Sequence, residues 1–115
     1  MSENTLKSPV DAAEIVADAV RRLVEGFHPV RVILFGSRAS GPASADSDFD
    51  LLVVMPGDSV AARIPGAMRL ALRGIPASFD ILPVAEKPWK KWSVMPLTME
   101  SRIANEGKVV FDERG

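Results

Sequence analysis

The chain has 115 residues and a formal net charge of −1, with 47% hydrophobic and 25% charged residues. These values are typical of one ordinary globular domain, and they exclude a disordered or fibrous chain. Cysteine is absent, which excludes disulfides, thiolate nucleophiles and Cys-based zinc sites, and the near-neutral charge predicts no direct binding of nucleic acid.

Residues 1–7 are predicted to form a disordered lead, and residues 8–115 a single domain. The N-terminal stretch is polar and acidic and lacks the apolar core of a signal peptide. No apolar run approaches the roughly 20 residues that a membrane-spanning helix needs. We therefore expect a cytoplasmic protein without membrane contact.

An amphipathic helix is predicted directly after this lead. Ser8 provides an N-cap and Pro9 the first helical position. Apolar residues recur at helical spacing up to Phe27. Gly26 and Pro29 predict the end of the helix.

Three short apolar runs predict β-strands at residues 30–35, 49–55 and 77–84. Residues 36–47, between the first two strands, are almost all small and polar and predict a loop. Pro83 suggests that the end of the third strand lies at a sheet edge or beyond the ladder.

The second half of the chain predicts helices over residues 59–73 and 98–106 and a short strand at 109–111. Pro65 and Gly66 weaken the first half of the earlier helix. Residues 88–96 are predicted to form a loop or short turn. Trp89 and Trp92 are predicted to pack over the core or to anchor an interface. The order of elements predicts an α/β or α+β domain with a small mixed sheet of three to four strands flanked by helices.

Two carboxylates stand at the start of the second predicted strand. Asp48 and Asp50 are two residues apart, so both side chains leave the same face of the strand. Such a pair can share one divalent cation or a pair of cations. Asp80 interrupts the third apolar strand in the same way, and it would act as a further ligand or as a base if the two strands are neighbours. Polar residues that conflict with an apolar strand pattern tend to mark functional sites.

The turn after the first strand has the equipment to hold phosphate oxygens. Gly36 and Ser37 offer backbone N–H groups and a hydroxyl. The charged guanidinium of Arg38 could add two parallel hydrogen bonds. Hydrogen-bond donors for phosphate oxygens, beside acidic metal ligands, imply a nucleoside triphosphate bound with Mg²⁺. The lysine of a P-loop is missing, and Leu51 and Gly57 occupy positions where an EF-hand needs glycine and glutamate. The alternative is that the aspartates only cap turns.

These motifs resemble the nucleotidyltransferase superfamily that includes DNA polymerase beta and kanamycin nucleotidyltransferase. The segment from Gly36 to Gly41, followed by Ser47-Asp48-Phe49-Asp50-Leu51, looks closest to the minimal nucleotidyltransferases (MNT proteins) of bacteria and archaea. The Asp80 strand and the tail from Arg102 to Phe111 also resemble that family, so the likeness spans nearly the whole chain. A polymerase beta-like fold is therefore expected.

The resemblance implies a role for each motif residue. Asp48 and Asp50 would bind Mg²⁺, with two ions expected, together with the triphosphate of ATP. Asp80 would be the third metal ligand and the base. Nucleotide binding would involve Ser37, which contacts the β- and γ-phosphates, and also Gly36, Arg38 and Ser47.

Three hypotheses for the function remain open at this point. The resemblance implies a HEPN-domain partner in a toxin–antitoxin pair, in which the MNT protein is the antitoxin and transfers AMP to a hydroxyl of the toxin. The second hypothesis is a binding module that neutralises its partner by masking it. The third is an enzyme that modifies a small molecule such as an antibiotic, for which a homo-oligomer would have to supply the second wall of the site.

Overall fold

A computed structural model describes residues 11–40 and 47–115 of the chain. The predicted disordered lead and the predicted helix start at Ser8 and Pro9 lie outside the described residues. The described elements, in chain order, are α1 (Ala12–Phe27), β1 (Arg31–Phe35), α2 (Ser37–Ser40), β2 (Phe49–Met55), α3 (Ile64–Ala71), β3 (Phe79–Ala85), α4 (Glu86–Trp92), α5 (Met99–Glu106) and β4 (Lys108–Asp112).

The strands of the described chain form one four-stranded sheet in the order β3-β2-β1-β4. β1 is antiparallel to β2 and to β4, whereas β2 and β3 are parallel. This arrangement confirms the predicted mixed sheet. Pro83 pairs with Val53 within the ladder, and it is tolerated because β3 is an edge strand, where a missing N–H leaves no neighbour unpaired.

The two faces of the sheet are covered by different helices. Alternate residues of the strands point to opposite faces, so Leu51 and Val53 belong to the core under α1 and α3, and Leu52 and Val54 to the core under α4 and α5. Four consecutive buried residues in β2 are the result expected for a central strand that is covered on both sides.

The described helix α1 has Asp11 as its N-cap. The Asp11 side chain accepts a hydrogen bond of 3.0 Å from the backbone N–H of Ala13. At the other end the helix runs through Gly26 to Phe27. His28 then ends it in the left-handed conformation, with a φ of 53°.

Two segments predicted as irregular are in fact helical. Residues 86–92 form α4, because Trp89 is 5% exposed and buries its ring under the sheet, while Pro88 lies in the first turn, where its missing N–H costs nothing. Within the predicted loop at 36–47, Ser37–Ser40 form the single turn α2. Conversely, the helix predicted over 59–73 is limited to Ile64–Ala71.

The helices of the described ranges are short. The longest of them, α1, has 16 residues. Over residues 11–40 and 47–115, none has both the length and the hydrophobicity that crossing a bilayer requires.

Candidate active site

The turn that follows β1 lies directly against a carboxylate. Gly36 has a φ of 76°, in the left-handed region that glycine adopts without steric cost. A Cβ atom at this position would overlap Oδ2 of Asp50 and would lie 3.1 Å from its Cγ. The contact arises because Phe35, the last residue of β1, pairs with Asp50 in the antiparallel ladder. Glycine is therefore required here both by the backbone and by its neighbour.

The parallel pairing of β2 and β3 brings the carboxylates together. Asp50 and Asp80 are register partners, so their side chains leave the same face of the sheet on adjacent strands, which lie about 4.8 Å apart. Asp48 precedes Asp50 by two residues. Asp50 is half-buried, and Asp48 and Asp80 are exposed. The structure thus assembles the three predicted acidic residues at the N-terminal ends of β2 and β3.

The surroundings of Asp50 at this edge shift its pKa. Burial raises the pKa of the Asp50 carboxyl above its usual value, and the negative charges of Asp80 and Asp48 raise that pKa further. Both causes disfavour the ionised carboxylate. A cation at this edge would reverse the effect, because it favours the charged form.

The donor set matches Mg²⁺ in chemistry. Carboxylate oxygens are hard ligands, and Mg²⁺ is usually held by one or two carboxylates, waters and substrate phosphates rather than by a cage of protein ligands. Within the described ranges, no group of three or more Asp, Glu, His or Cys side chains is arranged to hold a metal by itself. Asp50 with Asp48 or Asp80 would therefore form part of a site that phosphate oxygens complete.

Arg38 and Ser47 connect the ends of the segment between β1 and β2. The Nε and Nη2 atoms of Arg38 donate hydrogen bonds of 3.2 and 2.9 Å to the carbonyl oxygen of Ser47. The guanidinium lies 4.1 Å from the centre of the Phe49 ring, a distance typical of a cation–π contact. These contacts hold Ser47 and the start of β2 beside α2. The nucleotide-binding roles of Arg38 and Ser47 stay predictions.

Ser37 begins α2, is exposed, and borders a groove of about 380 Å³. Sequence patterns did not indicate this groove, because its second wall comes from a helix more than 60 residues further along the chain. The signal that pointed to that helix was the tail from Arg102 to Phe111, which resembles the ending of the minimal nucleotidyltransferases. The groove is bounded by Phe35 and Ser37 on one side and by Met99, Arg102, Ile103 and Glu106 of α5 on the other.

Paired acidic side chains on neighbouring strands, next to a Gly-Ser turn, are the groups that a site for a metal–nucleotide complex requires. The chain belongs to the nucleotidyltransferase domain family, whose model matches residues 13–105. Membership confirms the predicted superfamily. The narrower MNT assignment stays a prediction.

A known structure has the same fold. A candidate nucleotidyltransferase from Sulfolobus solfataricus matches with a TM-score of 0.65 and 19% sequence identity, over 99% of this chain and 92% of that chain. This likeness confirms the predicted nucleotidyltransferase fold. Among functionally curated proteins, none matches the chain in sequence.

The contacts of Arg38 lead to a testable prediction. In the variant Arg38→Lys the charge remains, but the planar guanidinium is lost, and with it the paired hydrogen bonds to Ser47 and the stacking on Phe49. We expect a free energy of unfolding lower by about 1–3 kcal/mol, and a kcat for nucleotidyl transfer that falls more than KM for the nucleotide rises. Denaturant unfolding and steady-state kinetics measure both effects. Arg69→Lys, at an exposed position of α3, is the control, and an unchanged kcat with a raised KM would instead indicate direct phosphate binding by Arg38.

Proposed function

We propose that this protein transfers AMP from ATP to a hydroxyl group of a HEPN-type partner protein, with Mg²⁺ as cofactor, and thereby acts as the antitoxin of a toxin–antitoxin pair. The nucleotide, the partner and the antitoxin role are proposed from the resemblance of the motifs to minimal nucleotidyltransferases, and one observation carries the nucleotidyl transfer itself. In a domain of the nucleotidyltransferase family, Asp50 lies against the Gly36 turn and is paired with Asp80 on the adjacent strand.

The proposed reaction is a displacement at the α-phosphorus of ATP. The acceptor oxygen forms a bond to phosphorus, the bond between phosphorus and the bridging oxygen of the β-phosphate breaks, and pyrophosphate leaves with the electron pair. Asp80, which is exposed, would receive the proton of the acceptor hydroxyl. Asp48 and Asp50 would hold the cation, and Gly36 and Ser37 would hold the β- and γ-phosphates. When bound, the cation neutralises charge on the transferring phosphate.

The exposure of the acidic edge supports a macromolecular acceptor. Asp48 and Asp80 are both accessible from solvent, so a hydroxyl on the surface of another protein can reach them without entering a closed cavity. A small-molecule acceptor is usually largely enclosed by its site. Open access therefore favours a protein acceptor.

A second function, masking of a partner by binding alone, is favoured by the segment that joins α4 to α5. Val94 is 79% exposed, and Leu97 is fully exposed with a φ of 69°. Trp92, Met95 and Met99 are exposed as well. A cluster of large apolar side chains exposed to solvent is typical of a protein interface.

The experiment that tests the proposal mixes the purified protein, Mg²⁺ and each of the four nucleoside triphosphates with a HEPN-type protein encoded beside it. Pyrophosphate release and the intact mass of the partner are measured. We expect pyrophosphate release together with a mass increase of one or more nucleoside monophosphates, largest with ATP. The control is the double variant Asp48→Ala/Asp50→Ala, which should abolish both signals.

Two outcomes would count against the proposal. No pyrophosphate and no mass change with any nucleotide would exclude nucleotidyl transfer to this partner. If the double variant also neutralised the partner as well as the wild type does, masking by binding would be the function.

A further inference from the structure

The groove between the Gly36 turn and α5 adjoins the acidic edge. Phe35 lines this groove and is the register partner of Asp50. Register partners in an antiparallel pair point to the same face of the sheet, so the side chains of Phe35 and Asp50 lie side by side on strands about 4.8 Å apart. A ligand whose reacting atom lies at Asp50 can therefore extend past Phe35 into the groove.

The lining of the groove combines a hydroxyl and a guanidinium. Ser37 stands on one wall and Arg102 on the other. Among the described residues that line the groove, Arg102 is the one cation. The groove has a volume of about 380 Å³, which falls in the range of small-molecule sites. A hydroxyl and an arginine facing one space are suited to phosphate oxygens, because a guanidinium binds phosphate through two parallel hydrogen bonds.

Arg102 makes an exposed ion pair with Glu106, one turn further along α5. Its Nε lies 3.4 Å from Oε1 of Glu106, and the two side chains are 77% and 58% exposed. A surface pair of this kind contributes little and is screened by salt. The guanidinium can therefore turn from Glu106 to a more highly charged anion that enters the groove.

We propose that Arg102, on the wall of the groove opposite Ser37, is a further residue that binds the β- and γ-phosphates of the nucleotide. The inference rests on the proposed nucleotidyl transfer, since it assigns the position of the leaving group in that reaction. Negative charge builds up on the bridging oxygen as pyrophosphate leaves, and an arginine placed there stabilises that charge. Glu106 competes with the phosphates for the guanidinium.

The test measures binding of inorganic pyrophosphate with Mg²⁺ by calorimetry and, separately, steady-state transfer from each nucleoside triphosphate. Arg102→Ala should weaken pyrophosphate binding and raise KM for the nucleotide by about 10- to 100-fold. Glu106→Gln should change both quantities in the opposite direction, by about 2- to 3-fold, because it removes a competing negative charge. Arg69→Ala, an exposed arginine on α3, is the matched control and should stay within about 2-fold of wild type.

The possible outcomes separate this inference from the proposed function. Pyrophosphate binding that depends on Arg102, in a protein that transfers no nucleotide, would support the groove assignment and contradict the function. Transfer by the wild type with pyrophosphate binding unchanged in Arg102→Ala would overturn the groove assignment. A changed preference among the four bases in that variant, with unchanged pyrophosphate binding, would show that the groove holds the nucleoside instead. Thermal melting of each variant verifies that it is folded.

Discussion

Replacement of Asp50 by asparagine is expected to lower nucleotidyl transfer by about 10³-fold, because the proposed metal site loses its most central charge and metal-ion catalysis contributes several kcal/mol. Asparagine keeps the size of the side chain, so its contact with Gly36 remains. The loss would therefore reflect charge rather than packing. Pyrophosphate release under saturating ATP and Mg²⁺ measures it.

The same substitution should stabilise the metal-free protein at neutral pH. The pKa of Asp50 is raised in the folded state by burial and by the charges of Asp80 and Asp48. A group whose folded-state pKa is raised contributes stability below its unfolded-state pKa and loses that contribution as pH rises through the folded-state pKa. At pH 7 the ionised Asp50 therefore opposes folding, whereas the neutral asparagine of the variant would not carry this charge.

Denaturant unfolding of both proteins at pH 7 and near pH 4, with and without Mg²⁺, tests this prediction. The advantage of Asp50→Asn should be present at pH 7 without Mg²⁺ and should shrink near pH 4. Added Mg²⁺ should stabilise the wild type by about 2.7 kcal/mol at 100 times its dissociation constant, and the variant much less. Asp58→Asn, at an exposed turn residue with a side chain that is 80% accessible, is the control. A variant less stable than wild type at pH 7 without Mg²⁺ would contradict the electrostatic account.

Replacement of Gly36 by alanine is the second change for which we expect a large effect. The new Cβ would overlap the Asp50 carboxylate and force it away from the acidic edge. Misplacement of a catalytic group by about 1 Å can lower a rate by roughly 100-fold. We therefore expect kcat to fall by about 100-fold or more.

Gly74→Ala separates this displacement from simple backbone strain. Gly74 also has a positive φ, 94°, but a Cβ there would meet nothing within 4 Å. Alanine at either position should lower the free energy of unfolding by about 1 kcal/mol, whereas only Gly36→Ala should lose activity. Circular dichroism melts and steady-state kinetics provide the two readouts. Equal activity losses in the two variants would mean that the contact between Gly36 and Asp50 has no catalytic role.

The positions of the strands and the identities of the motif residues were predictable from sequence because they depend on local pattern. The apolar run of β2 and the turn at Gly36 are evident within a few residues, and so is the spacing of Asp48 and Asp50. The last helix followed from its Thr98 cap, whose side chain accepts from the backbone N–H of Ser101. The mixed sheet flanked by helices was also predicted correctly.

Helix α4 could not be predicted in the same way. Pro88 and the charged residues around Trp89 favour a loop when only near neighbours are considered. The helix forms because burial of the Trp89 side chain beneath the sheet outweighs that weak local preference, as tertiary packing often does. Only the folded chain contains the surface against which this residue packs.

The sequence by itself determined which residues could carry the chemistry: a Gly-Ser turn and aspartates that interrupt apolar strands. The tertiary structure alone decided which of them meet. The register of β2 with β3 pairs Asp50 with Asp80, the register of β1 with β2 presses Asp50 against Gly36, and the packing of α5 places Arg102 across a groove from Ser37. Strand register and helix packing join residues about 14 to 65 positions apart, and they are set by the burial of whole faces rather than by any short stretch of chain.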